Sequence, residues 1–162
     1  MFLAFAATES GAPAPWVPPG ARPSGGTVTA PAFTDKDLED ETISLADYRG
    51  RVVILNFWGT WCPPCKAEVP ALERLKAEYR GELEIIGAAV FSSEDKVRQF
   101  YSDFQMNYPV IMGSYELMDE YGQVSAIPTT FIIDREGRIA DTAVGFRNQA
   151  QDEDMVKPLL AN

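Results

Sequence analysis

The chain has 162 residues, a formal net charge of −10 and 46% apolar residues, which suits one domain with a sizeable core. The acidic balance argues against nucleic acid or anionic lipid as a general partner, because few cations are available to neutralise phosphates. Histidine is absent, which excludes Ser/His and Cys/His catalytic pairs and any metal site that uses histidine. No run of residues approaches the roughly 18 apolar residues of a membrane span.

The first segment, residues 1–31, is rich in proline, glycine and alanine. Such a composition buries little surface, so we expect a flexible tail. Its first seven residues, MFLAFAA, resemble the remnant of an export signal, and the start of an artificial fragment is the alternative. The folded domain is expected to span residues 32–162.

From residue 32 onward, apolar runs alternate with helical patterns. The stretch around Phe33 and residues 42–45 predict a short N-terminal β-hairpin across residues 36–41. Apolar or alternating runs predict further strands at residues 51–57, 83–90, 108–111, 129–134 and 138–144. Capping residues and glycines mark the ends of predicted helices at residues 63–80, 92–105, 114–121 and 151–160. Pro158 is expected to break the last of these helices. This order predicts an α/β sandwich with a central mixed β-sheet flanked by helices.

The chain contains two cysteines, Cys62 and Cys65, separated by two residues. Zinc normally needs four ligands, and no second CxxC or histidine supplies the other half, so we predict no metal site. A disulfide between them closes a ring of about four residues. The loop-entropy relation predicts only about 2 kcal/mol of stabilisation for such a ring, compared with about 4.7 kcal/mol for a 100-residue loop. Reversible redox chemistry is therefore the leading interpretation, and a shielded disulfide or two inert thiols is the alternative.

Residues 56–75, NFWGTWCPPCKAEVPALERL, resemble the thioredoxin superfamily and, within it, the TlpA/ResA-like thiol-disulfide oxidoreductases. Residues 90–112 resemble the helix and strand that this family inserts into the core fold. Residues 127–134, IPTTFIID, followed by Gly137, resemble its cis-proline loop and closing hairpin. The resemblance covers about residues 32–147. It implies a thioredoxin-like fold with an N-terminal hairpin and a central helix–strand insert, and no cofactor beyond the cysteine pair.

The two cysteines are predicted to have unequal roles. Cys62 stands at the predicted helix start, where the helix N-terminus stabilises negative charge, so it is the candidate attacking thiolate. Cys65, one turn later, can form the disulfide and resolve a mixed disulfide. Pro63 and Pro64 remove two backbone donors beside the thiolate, which makes the reduced form less stable and favours a reducing couple.

Glu68 is the candidate proton-exchanging group. On a helical wheel it falls inside an apolar stripe of the helix. The stripe contains Leu72, Leu75 and Tyr79. A carboxyl group there is desolvated, which raises its pKa and suits it to exchange a proton with Cys65; the resemblance implies such a role, and a surface glutamate is the alternative. Asn56 stands where thioredoxin itself has a buried aspartate and cannot exchange a proton near neutral pH, which adds weight to Glu68.

The resemblance also implies a substrate groove beside the cysteines. Pro128 is expected to follow a cis peptide bond, and Ile127 to offer its backbone to an extended substrate segment. An ordinary proline at a strand start is the alternative. The predicted substrate-binding residues are Trp61, Pro63, Pro64, Ile127, Pro128 and Thr129.

These features predict a thiol-disulfide oxidoreductase, namely an extracytoplasmic reductant of protein disulfides, and the resemblance implies cytochrome c maturation as one such pathway. Expected partners are protein thiol or disulfide substrates and an upstream dithiol electron donor, and the chain is expected to be a monomer. One alternative is a peroxiredoxin-like thiol peroxidase, although Thr60 lies only two residues before Cys62, which is the wrong spacing. Another is a non-catalytic binding module, although such modules typically lose one cysteine.

Overall fold

The computed structural model describes residues 28–160, which form a layered α/β domain. The strands are β1 (Thr34–Lys36), β2 (Thr42–Ser44), β3 (Val52–Trp58), β4 (Leu83–Ala89), β5 (Val110–Met112), β6 (Thr129–Ile133) and β7 (Ile139–Val144). The helices are α1 (Pro63–Glu78), α2 (Glu94–Asp103), α3 (Tyr115–Glu120) and α4 (Gln149–Leu160), with a short 3₁₀ helix at Leu45–Tyr48.

Strand β3 lies at the centre of a five-stranded sheet with the order β5-β4-β3-β6-β7. It pairs in parallel with β4 and antiparallel with β6, β4 pairs in parallel with β5, and β6 pairs antiparallel with β7. All seven residues of β3 are buried, as expected of a strand covered on both faces. The predicted mixed sheet flanked by helices is confirmed.

Alternate residues of β3 point to opposite faces of the sheet and join two separate cores. Ile54 and Trp58 pack with buried residues of α1, α2 and α4, whereas Leu55 and Phe57 pack with buried residues of α3. Asn56 lies on the same face of β3 as Ile54 and Trp58, so its amide faces the layer that contains α1. The alternation of side chains along β3 thus places the polar Asn56 side chain beneath α1.

The predicted N-terminal hairpin and central insert are both present. Strands β1 and β2 pair antiparallel, and the hairpin loop reaches β5, because Asp37 bridges Ile111 and the Leu38 N–H donates to the Val110 carbonyl at 3.1 Å. The loop therefore covers part of the free edge of β5, an edge that would otherwise expose unpaired backbone groups. Helix α2 and strand β5 form the insert between β4 and α3.

The last helix ends at residue 160 as predicted, but its start and its continuity differ from the prediction. It begins two residues early because Asn148 and Gln151 form a reciprocal capping box, in which each side chain accepts from the other residue's N–H at 2.9 Å. It also continues through Pro158 to Leu160, so the predicted break was wrong. Proline lies in the final turn, where its missing N–H removes one helical bond, and Arg135 donates to the Leu160 carbonyl at 3.1 Å.

The described part of the domain starts four residues before the predicted boundary at residue 32. Thr29 bridges Arg138, and the Ala30 N–H donates to the Gly137 carbonyl at 2.9 Å. Ala30 is buried. These residues therefore pack along the β6–β7 hairpin. The rest of the predicted tail lies outside the described residues.

Candidate active site

The two cysteines lie where the chain turns from β3 into α1. Cys62 is the N-cap of α1 in extended backbone conformation, and Pro63 and Pro64 occupy the first two helical positions, where a backbone N–H has no helical acceptor. Cys62 and Cys65 form a disulfide with their Cα atoms 5.2 Å apart. Each residue is only 3% exposed. Cys62 Sγ accepts from the Cys65 N–H at 3.3 Å, which is the first backbone N–H after Cys62.

The loop before β6 borders the disulfide on one side. The Ile127–Pro128 peptide bond is cis, as predicted, and the Ile127 carbonyl oxygen lies 3.8 Å from Cys62 Sγ. Pro128 is buried and Ile127 is half-buried. Thr129 is also buried, and its hydroxyl donates to the Ala126 carbonyl at 2.6 Å. The Thr129 side chain therefore braces the loop, while Ile127 presents its backbone to the disulfide.

A glycine allows the cysteine turn and the cis-proline loop to approach each other. A Cβ atom on Gly59 would lie 2.9 Å from Ile127 Cδ1 and 3.2 Å from Trp61 Nε1. Trp61 itself is exposed, and its Nε1 donates to the Phe91 carbonyl at 2.9 Å. Trp61 and Ile127 thus meet at one rim of the site, and the exposed rings of Pro63 and Pro64 follow at the start of α1.

Glu68 lies beneath the surface, one helical turn after Cys65. It is 2% exposed. Its Oε1 accepts from the backbone N–H of Arg147 at 2.8 Å, and its Oε2 accepts from Asn56 Nδ2 at 3.3 Å. Asn56 Nδ2 also donates to Thr130 Oγ1 at 3.1 Å. The predicted burial of Glu68 on the apolar stripe is confirmed, since Leu72 and Leu75 are buried on the same helix.

Burial raises the pKa of Glu68 to about 7 because the charged carboxylate is desolvated. The nearby Asp152 carboxylate raises this pKa further, whereas the Arg147 N–H, the Asn56 amide and the Arg147 guanidinium lower it. A carboxyl group that titrates near neutral pH can both take up and return a proton there. The spacing of three residues along α1 puts that group on the same helix face as Cys65.

Two further residues at this site escaped the sequence analysis. Arg147 Nε donates to Asp152 Oδ1 at 3.1 Å, and Asp152 is 2% exposed. Burial raises the pKa of Asp152, while its hydrogen bond with Arg147 lowers it. The capping box at Asn148 signals that Asp152 belongs to the first turns of a helix. No signal in the sequence indicates that Arg147 contacts the carboxyl group of Glu68, 79 residues earlier in the chain.

Asp152→Asn is expected to lower the pKa of Glu68. The substitution removes a negative charge that raises this pKa and leaves the Arg147 cation without its counter-ion. We expect a decrease of about half a unit or more, measured as an acid shift in the pH midpoint of mixed-disulfide resolution. Asp154→Asn, the same change at an exposed position of α4, is the control and should leave the midpoint in place. An unchanged or alkaline-shifted midpoint in Asp152→Asn would show that Asp152 does not act on Glu68.

Within residues 28–160, no group of three or more Cys, Asp or Glu side chains is arranged to hold a metal ion. None of the helices formed by these residues has the length and apolar content required to cross a membrane.

Comparisons with known proteins agree with this geometry. The sequence profile of the AhpC/TSA family matches residues 27–142. Thioredoxin-like protein YneN of Bacillus subtilis is 38% identical over 127 residues, which cover 76% of this chain and 74% of that protein. Thiol-disulfide oxidoreductase ResA of Bacillus subtilis is 34% identical over 134 residues, which cover 80% of this chain and 74% of ResA.

A solved structure supports the fold assignment. The crystal structure of a thiol:disulfide interchange protein of the thioredoxin family from Chlorobium tepidum superimposes with a TM-score of 0.78 and 30% sequence identity, covering 83% of this chain and 97% of the other. This chain has a WCxxC disulfide at a helix start, beside a cis-proline loop. The chain therefore belongs to the AhpC/TSA family, and it is a thioredoxin-like thiol-disulfide oxidoreductase.

Proposed function

We propose that this oxidoreductase works as a reductant of protein disulfides on the extracytoplasmic side of the membrane. The observation that supports the direction of electron flow is the environment of Cys62 Sγ. Pro63 and Pro64 supply no backbone N–H, so the first donor along the helix is the Cys65 N–H at 3.3 Å. A thiolate with few donors is weakly stabilised, and a weakly stabilised reduced form gives up its electrons more readily.

The reduced protein transfers two electrons in two exchange steps. The Cys62 thiolate attacks one sulfur of the substrate disulfide, forms a mixed disulfide and expels the other substrate sulfur, which takes up a proton. Cys65 then passes its proton to Glu68 and attacks Cys62 Sγ. The Cys62–Cys65 disulfide forms, and the second substrate sulfur leaves as a thiolate that takes up the proton from Glu68. An upstream dithiol donor then restores the reduced pair.

The substrate segment reaches Cys62 along the cis-proline loop. The Ile127 carbonyl lies within 3.8 Å of the attacking sulfur, and residue 127 precedes the first residue of β6. An extended segment placed beside it adds a short strand and brings its sulfur to Cys62. Trp61 is exposed, and its Nε1 donates to the Phe91 carbonyl. Its side chain borders the path of the substrate segment on the other side.

The cellular setting is inferred from the family resemblance. The extracytoplasmic location and the reduction of the apocytochrome c disulfide to thiols during cytochrome c maturation are proposed on that basis. Trapping experiments in the native host would test both proposals. A Cys65→Ser protein should retain its substrates as mixed disulfides, which can be purified and identified by mass spectrometry.

The reducing character of the couple is itself testable. We expect a reduction potential nearer to about −270 mV, the thioredoxin value, than to about −120 mV, the DsbA value. The protein is equilibrated with glutathione redox buffers, and the fraction of alkylated Cys62 and Cys65 is measured. A potential more oxidising than about −180 mV would contradict the proposed direction and would indicate an oxidase or isomerase.

Insulin reduction with a dithiol donor distinguishes the proposed function from its alternatives. The peroxidase alternative gains no geometric support from Thr60, whose hydroxyl donates to Ser92 Oγ at 3.3 Å. Hydrogen peroxide consumption without a second thiol protein would nevertheless establish that activity. A protein whose thiols are accessible but which reduces neither insulin nor peroxide would be a binding module.

A further inference from the structure

Three aromatic side chains next to the disulfide are exposed to solvent and lie together. We call Trp61, Phe91 and Tyr115 the aromatic patch; they are 59%, 49% and 74% exposed. The Phe91 and Tyr115 rings meet edge to face with centroids 6.2 Å apart, and Trp61 Nε1 donates to the Phe91 carbonyl at 2.9 Å. The patch therefore joins three segments, namely the turn before α1, the loop after β4 and the first residue of α3.

The local backbone holds Phe91 outward. Its φ of 51° lies in the left-handed region that bulky residues rarely adopt. Ser92 stabilises this loop, since its Oγ accepts from the Thr60 N–H at 3.1 Å and donates to the Val90 carbonyl at 3.0 Å. The cysteine turn and the loop after β4 are thus bonded to each other. The result is an exposed aromatic ring at a position where hydrophobic collapse alone would bury it, which is typical of an interaction surface.

The patch is continuous with the reacting sulfur. Trp61 and Ile127 converge above Gly59, where a Cβ atom would lie within 3.2 Å of both side chains. Ile127 in turn lies beside Cys62, with its carbonyl 3.8 Å from Sγ. A chain that binds along the cis-proline loop can therefore continue over Trp61 and Phe91 to Tyr115.

The surface beyond the patch is acidic. Helix α3 carries Glu116, Asp119 and Glu120, all exposed, and no basic residue. The whole chain has a formal net charge of −10. A partner that reaches α3 is favoured if it carries lysine or arginine there, because complementary charges speed docking and fix its register.

We propose that the aromatic patch binds the substrate protein next to its reacting cysteine and selects an extended segment with an aromatic or leucine side chain followed by lysine or arginine. This inference rests on the proposed function, since it assumes that the protein reduces protein disulfides. The apolar side chain packs on Phe91 and Tyr115, where aromatic pairs gain specific edge and stacking contacts. The basic side chain then faces the carboxylates of α3.

Single-turnover oxidation of the reduced protein by short peptides tests this selectivity. Each peptide has one cysteine held as a mixed disulfide with glutathione, so that one turnover yields the protein disulfide, the peptide thiol and glutathione. One peptide carries phenylalanine and arginine beside its cysteine, and its partner carries serine and glutamate there. Quenching with an alkylating reagent gives the rate, and we expect the first peptide to react about tenfold faster.

Variants of the patch should remove this preference. Phe91→Asn keeps a residue that tolerates the left-handed backbone, and Tyr115→Ser changes an exposed position on α3. Each should reduce the preference to about threefold or less, as expected when one aromatic contact is lost. Phe104→Ser is the matched control, because Phe104 is exposed at the opposite end of α2, and it should keep the full preference. Oxidised glutathione, which has no aromatic or leucine side chain to pack on Phe91 and Tyr115, should react at the same rate with all four proteins.

The outcomes separate this inference from the proposed function. A wild-type protein that reacts with both peptides equally, or patch variants that keep the full preference, would overturn the inference alone. An equal loss of rate towards oxidised glutathione would also overturn it, because the effect would lie at the disulfide. Concentration-dependent dimerisation that disappears in Phe91→Asn would assign the patch to a second copy of this chain. A wild-type protein that reacts with oxidised glutathione and with neither peptide would overturn the proposed function, and the inference with it.

Discussion

Cys62→Ser is expected to abolish insulin reduction, whereas Cys65→Ser is expected to stop the reaction at a mixed disulfide. Cys62 is the N-cap of α1, beside the cis-proline loop that we propose as the substrate-binding loop. Cys65 lies inside the helix and faces the buried side that contains Glu68. Loss of the nucleophile should lower the rate by at least about 10³-fold. Loss of the resolving thiol should leave the first attack intact.

Two measurements check these roles. Stoichiometric reaction of Cys65→Ser with a disulfide peptide should give one covalent adduct for each protein chain, detected by intact mass. The same reaction with Cys62→Ser should give little adduct, because Cys65 lies inside α1 and not at its N-cap, where the helix N-terminus stabilises a thiolate. In the reduced wild-type protein, Cys62 should be alkylated first near neutral pH. Faster alkylation of Cys65 would reverse the assignment.

The cysteine turn could be predicted from sequence because its signals are local. A buried strand, a turn with Gly59, two prolines at a helix start and the CxxC spacing all lie within one short segment, and each specifies its own geometry. Glu68 was also accessible to prediction, since the helical period alone puts it on the face of Leu72 and Leu75. The burial of Glu68 follows from its position on this apolar face, because the apolar face of a helix packs against the core.

The surroundings of Glu68 could not be predicted in the same way. Arg147, just before α4, donates to a carboxyl group 79 positions earlier in the chain. Asp152 lies in α4, which packs against α1. The exposure of Phe91 was equally hidden, because an apolar residue after a buried strand is normally assigned to the core. At Pro158 the prediction was wrong for a different reason. Proline breaks a helix in its interior, but Pro158 lies in the final turn of α4, where the helix continues to its end. In each case tertiary contacts or position within the element decided the outcome.

Glu68→Gln is expected to make the protein more stable at pH 8 than the wild type and to have little effect at pH 5. The folded pKa of Glu68 is about 7, against an ordinary value of 4.5, so the native state binds more protons than the unfolded state between these pH values. The wild-type free energy of unfolding therefore decreases as pH rises through this window. At 1.36 kcal/mol per unit, the decrease is at most about 3 kcal/mol. Glutamine does not titrate, so the variant escapes this loss.

The same substitution should slow disulfide exchange. The introduced glutamine keeps a carbonyl oxygen that can accept the Arg147 N–H in place of the Glu68 Oε1. Its NH2 group replaces Oε2, which accepts from Asn56 Nδ2, and can donate to the Asn56 carbonyl oxygen if that amide turns over. The glutamine cannot accept the Cys65 proton, and loss of a positioned general base typically lowers a rate by about 10²-fold or more. Resolution of the mixed disulfide should therefore slow, while the first attack by Cys62 keeps its rate. Higher stability at pH 8 combined with lower activity separates a proton-transfer role from a packing role.

Denaturant unfolding at pH 5 and pH 8, together with rapid-quench kinetics of mixed-disulfide resolution, would measure both effects. Glu78→Gln is the matched control, because Glu78 is an exposed glutamate on the same helix, and it should alter neither the pH dependence of stability nor the resolution rate. The thiol titration of the reduced wild type should show a step that disappears in Glu68→Gln, since a charged carboxylate near Cys65 opposes formation of its thiolate. If Glu68→Gln shifted stability equally at both pH values and left resolution unchanged, Glu68 would be only a buried packing group. The proton of Cys65 would then have to leave by another route.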